Sequence, residues 1–161
     1  MNRKDIEILS NFDLEEFCKA YKIPLVACVA KNDLKHVNLI NGSYIININN
    51  SDSMIDVGHW IGLYINNDTA YYFDSFGMNA PKEIIKYVKT KCSHLFQNET
   101  PIQNLDQLVC GYYAFYFCWY FHNSKCDKTT LNKFVNQFDL YNSHNNDNIL
   151  QALIKKNILK K

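Results

Sequence analysis

Residues 110–121 read CGYYAFYFCWYF, an uncharged aromatic run that is apolar on every side. A segment this long and aromatic does not suit an ordinary edge strand. A helix buried all round accommodates it, although the run by itself does not separate helix from strand. Burying such a helix needs a large surrounding core. The chain has 161 residues, 47% hydrophobic and 20% charged, which is a globular composition with room for one core of that size. No repeat or linker divides it, so residues 1–161 are expected to form a single domain.

The flanking segments supply the other layers. DLEEFCKAY (13–21) starts with Asp13 and Glu16 at capping-box spacing and carries Leu14, Phe17 and Cys18 on one face, which predicts a helix ended by Pro24. GSYIININN (42–50) alternates and is β-branched, the pattern of a strand. A turn at Asn66-Asn67-Asp68 would fold residues 59–74 into a hairpin. In APKEIIKYVKTKC (80–92), Pro81 lies near a first helical position and Ile84, Ile85, Val88 and Cys92 share one side, so an amphipathic helix is expected. TPIQ (100–103) reads as a short strand, and two amphipathic stretches follow near 129–138 and 146–156. The expected class is α+β, a small, mostly antiparallel sheet packed against the central buried helix, with other helices around it.

Bulk properties narrow the function. A formal net charge of +1 does not force a nucleic-acid reading, and any basic face would have to come from local clusters such as the lysines near 82–91 and 155–161. The cysteines at 18, 28, 92, 110, 118 and 126 include no Cys-x-x-Cys pair, so no structural metal site is expected. The N-terminus carries no apolar stretch of the signal-peptide kind and no apolar run reaches the about 18 residues of a membrane span, so the expected setting is a reducing cell interior, without secretion.

The stretch VGHWIGLYINNDTAYYFDSFG (57–77) sets His59 and Asp74 fifteen positions apart, each next to an apolar run. A polar side chain buried there without a partner costs about 1–3 kcal/mol on mutational scales, and the hairpin would let the two pair. The third group is sought among the cysteines. Cys18, Cys92 and Cys118 lie on predicted helix faces, Cys28 in an apolar run and Cys126 in a polar loop. Cys110 follows the loop NLDQLV and opens the central helix, where the dipole and free N–H groups favour a nucleophilic thiolate. Gly111 behind it would leave room for a substrate backbone. Preorganised donors must face the developing oxyanion. The Cys110 N–H is one candidate and the Gln103 amide another, with Gln107 a competitor nearer the elbow. Trp60 is expected to be core or to cover the imidazole, where a cation–π contact would favour the imidazolium by about 0.5–2 kcal/mol. His36, His94, His122 and His144 lack any partner pattern, and Asp52, Asp56 and Asp106 read as loop residues.

GHW (58–60), YYFDSFG (71–77) and IQNLDQLVCGYYAFYFC (102–118) together resemble the adenain-like cysteine proteases, the maturation proteases of adenoviruses, virophages and Polinton-type elements. More distantly they resemble the ubiquitin-like-protein proteases of the same clan. The resemblance implies a papain-like, adenain-like fold with His59 as general base, Asp74 as orienting acid, Gln103 as oxyanion donor and Cys110 as nucleophile. Trp60 and Gly111 would then contact substrate as roof and floor of a narrow slot. It implies a viral or virus-like endopeptidase that cleaves capsid and other virion precursor proteins at Gly-containing sites during maturation. Such an enzyme would work in the infected cell and the virion, as a monomer without membrane attachment. Relatives of this kind are activated by a virion peptide, in part through a disulfide, and by DNA. A peptide activator stays open here, with Cys92 and Cys126 as receivers if exposed, while near-neutral charge argues against DNA stimulation. Asp74 stands where adenovirus enzymes carry Glu, the choice of the ubiquitin-like-protein branch. The rival readings are an isopeptidase acting on ubiquitin-like modifiers (a deubiquitinase or deSUMOylase) and a catalytically silent interaction module of the same fold.

Overall fold

The structure, a computed structural model, describes residues 9–51, 58–104 and 109–160. Helix α1 (Asn11–Ala20) is followed by β1 (Leu25–Ala30), a 3-10 turn (Lys31–His36), β2 (Gly42–Asn47), β3 (Trp60–Asn66) and β4 (Thr69–Phe73). Then come α2 (Lys82–Lys89), β5 (His94–Gln97), α3 (Cys110–His122), α4 (Thr130–Val135) and α5 (Asn146–Asn157). None of the described helices is long and apolar enough to cross a membrane.

The five strands lie in the order β1-β2-β3-β4-β5. The expected antiparallel character holds at the centre, where β2 pairs β3 and β3 pairs β4. The outer pairs β1–β2 and β4–β5 are parallel. Parallel neighbours need a crossover, and the 3-10 turn and α2 lie in those two connections. The hairpin turns at Asn67, whose positive φ of 54° suits the short polar side chain of asparagine.

Side chains alternate across the sheet. Along β4, Tyr71 and Phe73 face a core shared with α3, while Ala70 and Tyr72 face the other side, toward α2. Helix α3 is buried along nearly its whole length, as an apolar surface on every side demands. It packs tightly on the sheet at Gly62, where an added Cβ would lie 2.3 Å from Phe117 Cδ1. Phe117 in turn stacks on Phe73 at 5.5 Å and meets the edge of Phe134 on α4. The site-bearing helix is therefore locked to β3 and β4 by rings.

Three local expectations are corrected. The N-cap of α1 is Ser10, whose hydroxyl accepts the Asp13 N–H while the Asp13 carboxylate accepts the Ser10 N–H, so Asp13 is the third helical residue and not the cap. Residues 100–103 are not a strand, because the Ile102 and Gln103 N–H groups both donate to the Ser75 carbonyl instead of to a ladder. Leu25–Ala30, read only as an apolar run, is a strand.

Candidate active site

Three elements converge at the start of α3. His59 immediately precedes β3 and Asp74 immediately follows β4. Because these strands are antiparallel, with Gly62 opposite Phe73, the beginning of one lies beside the end of the other. His59 Nε2 is thereby placed 2.6 Å from Asp74 Oδ1, and Asp74 is 1% exposed. Cys110 is the first residue of α3, and the Trp60 N–H donates to its Sγ at 3.5 Å, tying the thiol to the residue after His59.

With Nε2 occupied by Asp74, Nδ1 is the imidazole nitrogen left for the thiol. It is buried and has no aligned hydrogen bond to another group among the described residues. Burial alone would lower the imidazole pKa. The hydrogen bond to Asp74, the adjoining Cys110 thiol and the charges of both outweigh that, and His59 is lifted to about 9. The other four histidines are exposed.

Asp74 is held from several directions. Its Oδ1 also accepts the Phe76 N–H at 2.8 Å. Asn98 brackets its backbone, accepting the Asp74 N–H at 2.9 Å and donating to the Asp74 carbonyl at 2.7 Å. The following turn passes through Gly77 at φ +71°, where a Cβ would lie 2.7 Å from Pro101 N. Only glycine combines that conformation with that approach.

The turn meets the segment that carries Gln103. Gln103 is 1% exposed, and its Oε1 accepts the Ser75 hydroxyl at 2.7 Å. Asn146, wholly buried at the start of α5, donates to the Ile102 carbonyl at 2.8 Å and so fixes the same segment from the helical side. Gln107 and the loop aspartates 52, 56 and 106 lie outside the described residues.

Trp60 and Gly111 are arranged differently from the slot expected of them. Gly111 is buried, and a Cβ on it would lie 3.2 Å from the Leu9 side chain and 3.5 Å from Trp60 Cδ1. The Trp60 indole N–H donates to the Leu9 carbonyl at 2.9 Å. Leu9 fills the space between them, so Gly111 admits Leu9 and the indole rather than an open passage. The ring stacked on the imidazole is that of Phe76, at 4.3 Å and 12° between planes.

Phe76, Ser75, Asn98 and Asn146 escaped the sequence reading as parts of the site. Ser75 and Phe76 lie within the quoted FDSFG stretch, so a signal was present; nothing marks Asn98 or Asn146 among 21 asparagines. The remaining cysteines contrast with Cys110 in their surroundings. Burial pushes the thiols of Cys18 and Cys28 up to about 12, and raises that of wholly buried Cys118 well above the ordinary thiol value. Cys92 is buried and Cys126 half-buried, which removes Cys92 as an exposed disulfide receiver.

No protein-family model matches the sequence, and no curated protein does. Among solved structures, the chain is similar to the crystal structure of the Se-Met ASFV pS273R protease, with 14% identity and a TM-score of 0.59 over 95% of this chain and 68% of that one. The SUMO protease Ulp1, with its catalytic cysteine oxidized to a sulfinic acid, matches at 19% identity and a TM-score of 0.42 over 99% of this chain and 88% of that one. The five-stranded sheet with its buried helix is thus similar in fold to the ASFV protease.

Proposed function

We propose that the protein is a cysteine endopeptidase in which Cys110, His59 and Asp74 form the catalytic triad and Gln103 assists the oxyanion. The observation that carries the reading is the seating of His59, with Nε2 on a buried carboxylate and Nδ1 left for a thiol at a helix start. The imidazole raised to about 9 holds a proton at neutral pH, which favours an imidazolium beside a thiolate.

The thiolate attacks the scissile carbonyl, and charge develops on its oxygen. In this reading the Cys110 N–H and the Gln103 amide donate to that oxygen. Val109 provides no side-chain cap, and the Val109 carbonyl takes the Tyr112 N–H, so Cys110 and Gly111 carry the uncapped N–H groups at the start of α3. On collapse, His59 protonates the leaving amine and Cys110 keeps the acyl group. Water, activated by the now neutral imidazole, then releases the acid.

The substrates in this reading are capsid or other virion precursor proteins of a virus or virus-like element. The sequence resemblance supports that choice, together with a preference for Gly near the cut. The test is incubation of the co-encoded capsid proteins with the wild type and with Cys110→Ala, followed by mass spectrometry of new termini. New termini that need Cys110 and follow Gly or Ala at one of the two preceding positions are expected. Intact capsid proteins, or cuts that persist in Cys110→Ala, would contradict the proposal.

A further inference from the structure

We propose that Ser75 is a positioning residue that fixes which end of the Gln103 amide faces the reacting carbonyl. This rests on the reading of Gln103 as an oxyanion donor. A glutamine amide is nearly symmetric in shape, yet one end accepts hydrogen bonds and the other donates them. An oxyanion is stabilised by Nε2 and repelled by Oε1, so the amide must be held one way round. The Ser75 hydroxyl donates to Oε1 at 2.7 Å, and both residues are 1% exposed. A hydroxyl oriented in this way marks the Oε1 end and assigns Nε2 to the opposite side.

The serine itself is rigidly placed. It lies between Asp74 and Phe76, whose N–H is bonded to the Asp74 carboxylate. Its own carbonyl accepts the Ile102 and Gln103 N–H groups, each at 2.8 Å. One short turn thus holds the acid through Asp74 and the oxyanion amide through Ser75. The backbone bonds carry the register of the Gln103 segment, and the hydroxyl bonds the Oε1 end of its amide. Without the hydroxyl the Oε1 end loses this donor, and a flipped amide would present an acceptor to an anion.

The test is a double-mutant cycle with an internally quenched peptide that carries Gly-Gly before the cut, read as kcat and KM. Gln103→Ala is expected to lower kcat by about 10²–10³. Ser75→Ala should lower kcat about tenfold or more at nearly constant KM. In the Gln103→Ala background it should have almost no further effect, because the hydroxyl acts only through that amide. Alkylation of Cys110 by iodoacetamide makes no oxyanion, so its rate in Ser75→Ala should match the wild type. Multiplying losses in the double variant, wild-type kcat in Ser75→Ala, or slowed alkylation would overturn the positioning role while the oxyanion reading of Gln103 stood. Wild-type kcat in Gln103→Ala would remove the oxyanion reading and this inference together, and absence of Cys110-dependent cleavage in the wild type would remove the protease reading itself.

Discussion

The imidazole of His59 lies flat against the phenyl ring of Phe76, with centroids 4.3 Å apart and 12° between planes. The Phe76 N–H meanwhile bonds the same Asp74 oxygen that receives His59 Nε2. One residue therefore orients both the base and its acid. Phe76→Ala should preserve the fold, since the side chain is only half-buried, and should lower kcat several-fold as the ring loses one wall. Trp60→Phe should do the reverse, keeping kcat near the wild type and costing about 1 kcal/mol of stability through the lost bond to the Leu9 carbonyl. Paired kinetics and thermal melts of the two variants check this. A larger kcat loss in Trp60→Phe would return the covering role to the indole.

That reassignment shows where the sequence was legible. The buried helix and the hairpin follow from apolar patterning and an Asn-rich turn, so the pairing of His59 with Asp74 could be anticipated from spacing, and Cys110 from its place at a helix start together with the family resemblance. Ring stacking could not, because Trp60 and Phe76 are both aromatic neighbours of the pair and only the turn at Ser75-Phe76-Gly77 decides which ring reaches the imidazole. β1 was obscured for a different reason. Its LVACVA run pairs on one side only, in parallel with β2, and lacks the alternation that marks a half-buried strand. TPIQ failed as a strand because Pro101 has no N–H and the next two amides are taken by Ser75.

The raised pKa of His59 makes stability depend on pH. Folded, the imidazole titrates near 9, against about 6.5 in the unfolded chain. The extra stabilisation is therefore fully present below pH 6.5 and is lost as pH rises through about 9. Its size is on the order of 3 kcal/mol. Urea midpoints measured between pH 6 and 9.5 should fall across this window. In Asp74→Asn, which removes the charge and hydrogen bond that hold the proton, the fall should be much shallower, and the alkaline limb of kcat/KM should move to lower pH. An unchanged slope and limb would show that another group holds the proton.

Gly62 places α3 against the sheet. Gly62→Ala would put a methyl 2.3 Å from Phe117 Cδ1, and Phe117 has little freedom between Phe73 and Phe134. Overpacking of this kind costs about 1–3 kcal/mol. Thermal denaturation should show that loss, accompanied by a fall in kcat as the helix that carries Cys110 is pushed from His59. A melt and kcat equal to the wild type would mean that the helix–sheet contact is looser than described.

The central claim is that Cys110, paired with His59, is the reactive thiol. Near pH 7 the thiols of Cys18 and Cys28 are pushed to about 12 by burial, and those of Cys92, Cys118 and Cys126 are raised as well, so none of the five should compete as a thiolate. Brief exposure of the folded protein to substoichiometric iodoacetamide at pH 7, followed by peptide mass spectrometry, tests this directly. The account predicts a single carbamidomethyl group on Cys110 in the wild type, and labelling slowed by at least tenfold in His59→Ala. First labelling at Cys126 or any other cysteine, or a Cys110 rate indifferent to His59, would contradict it.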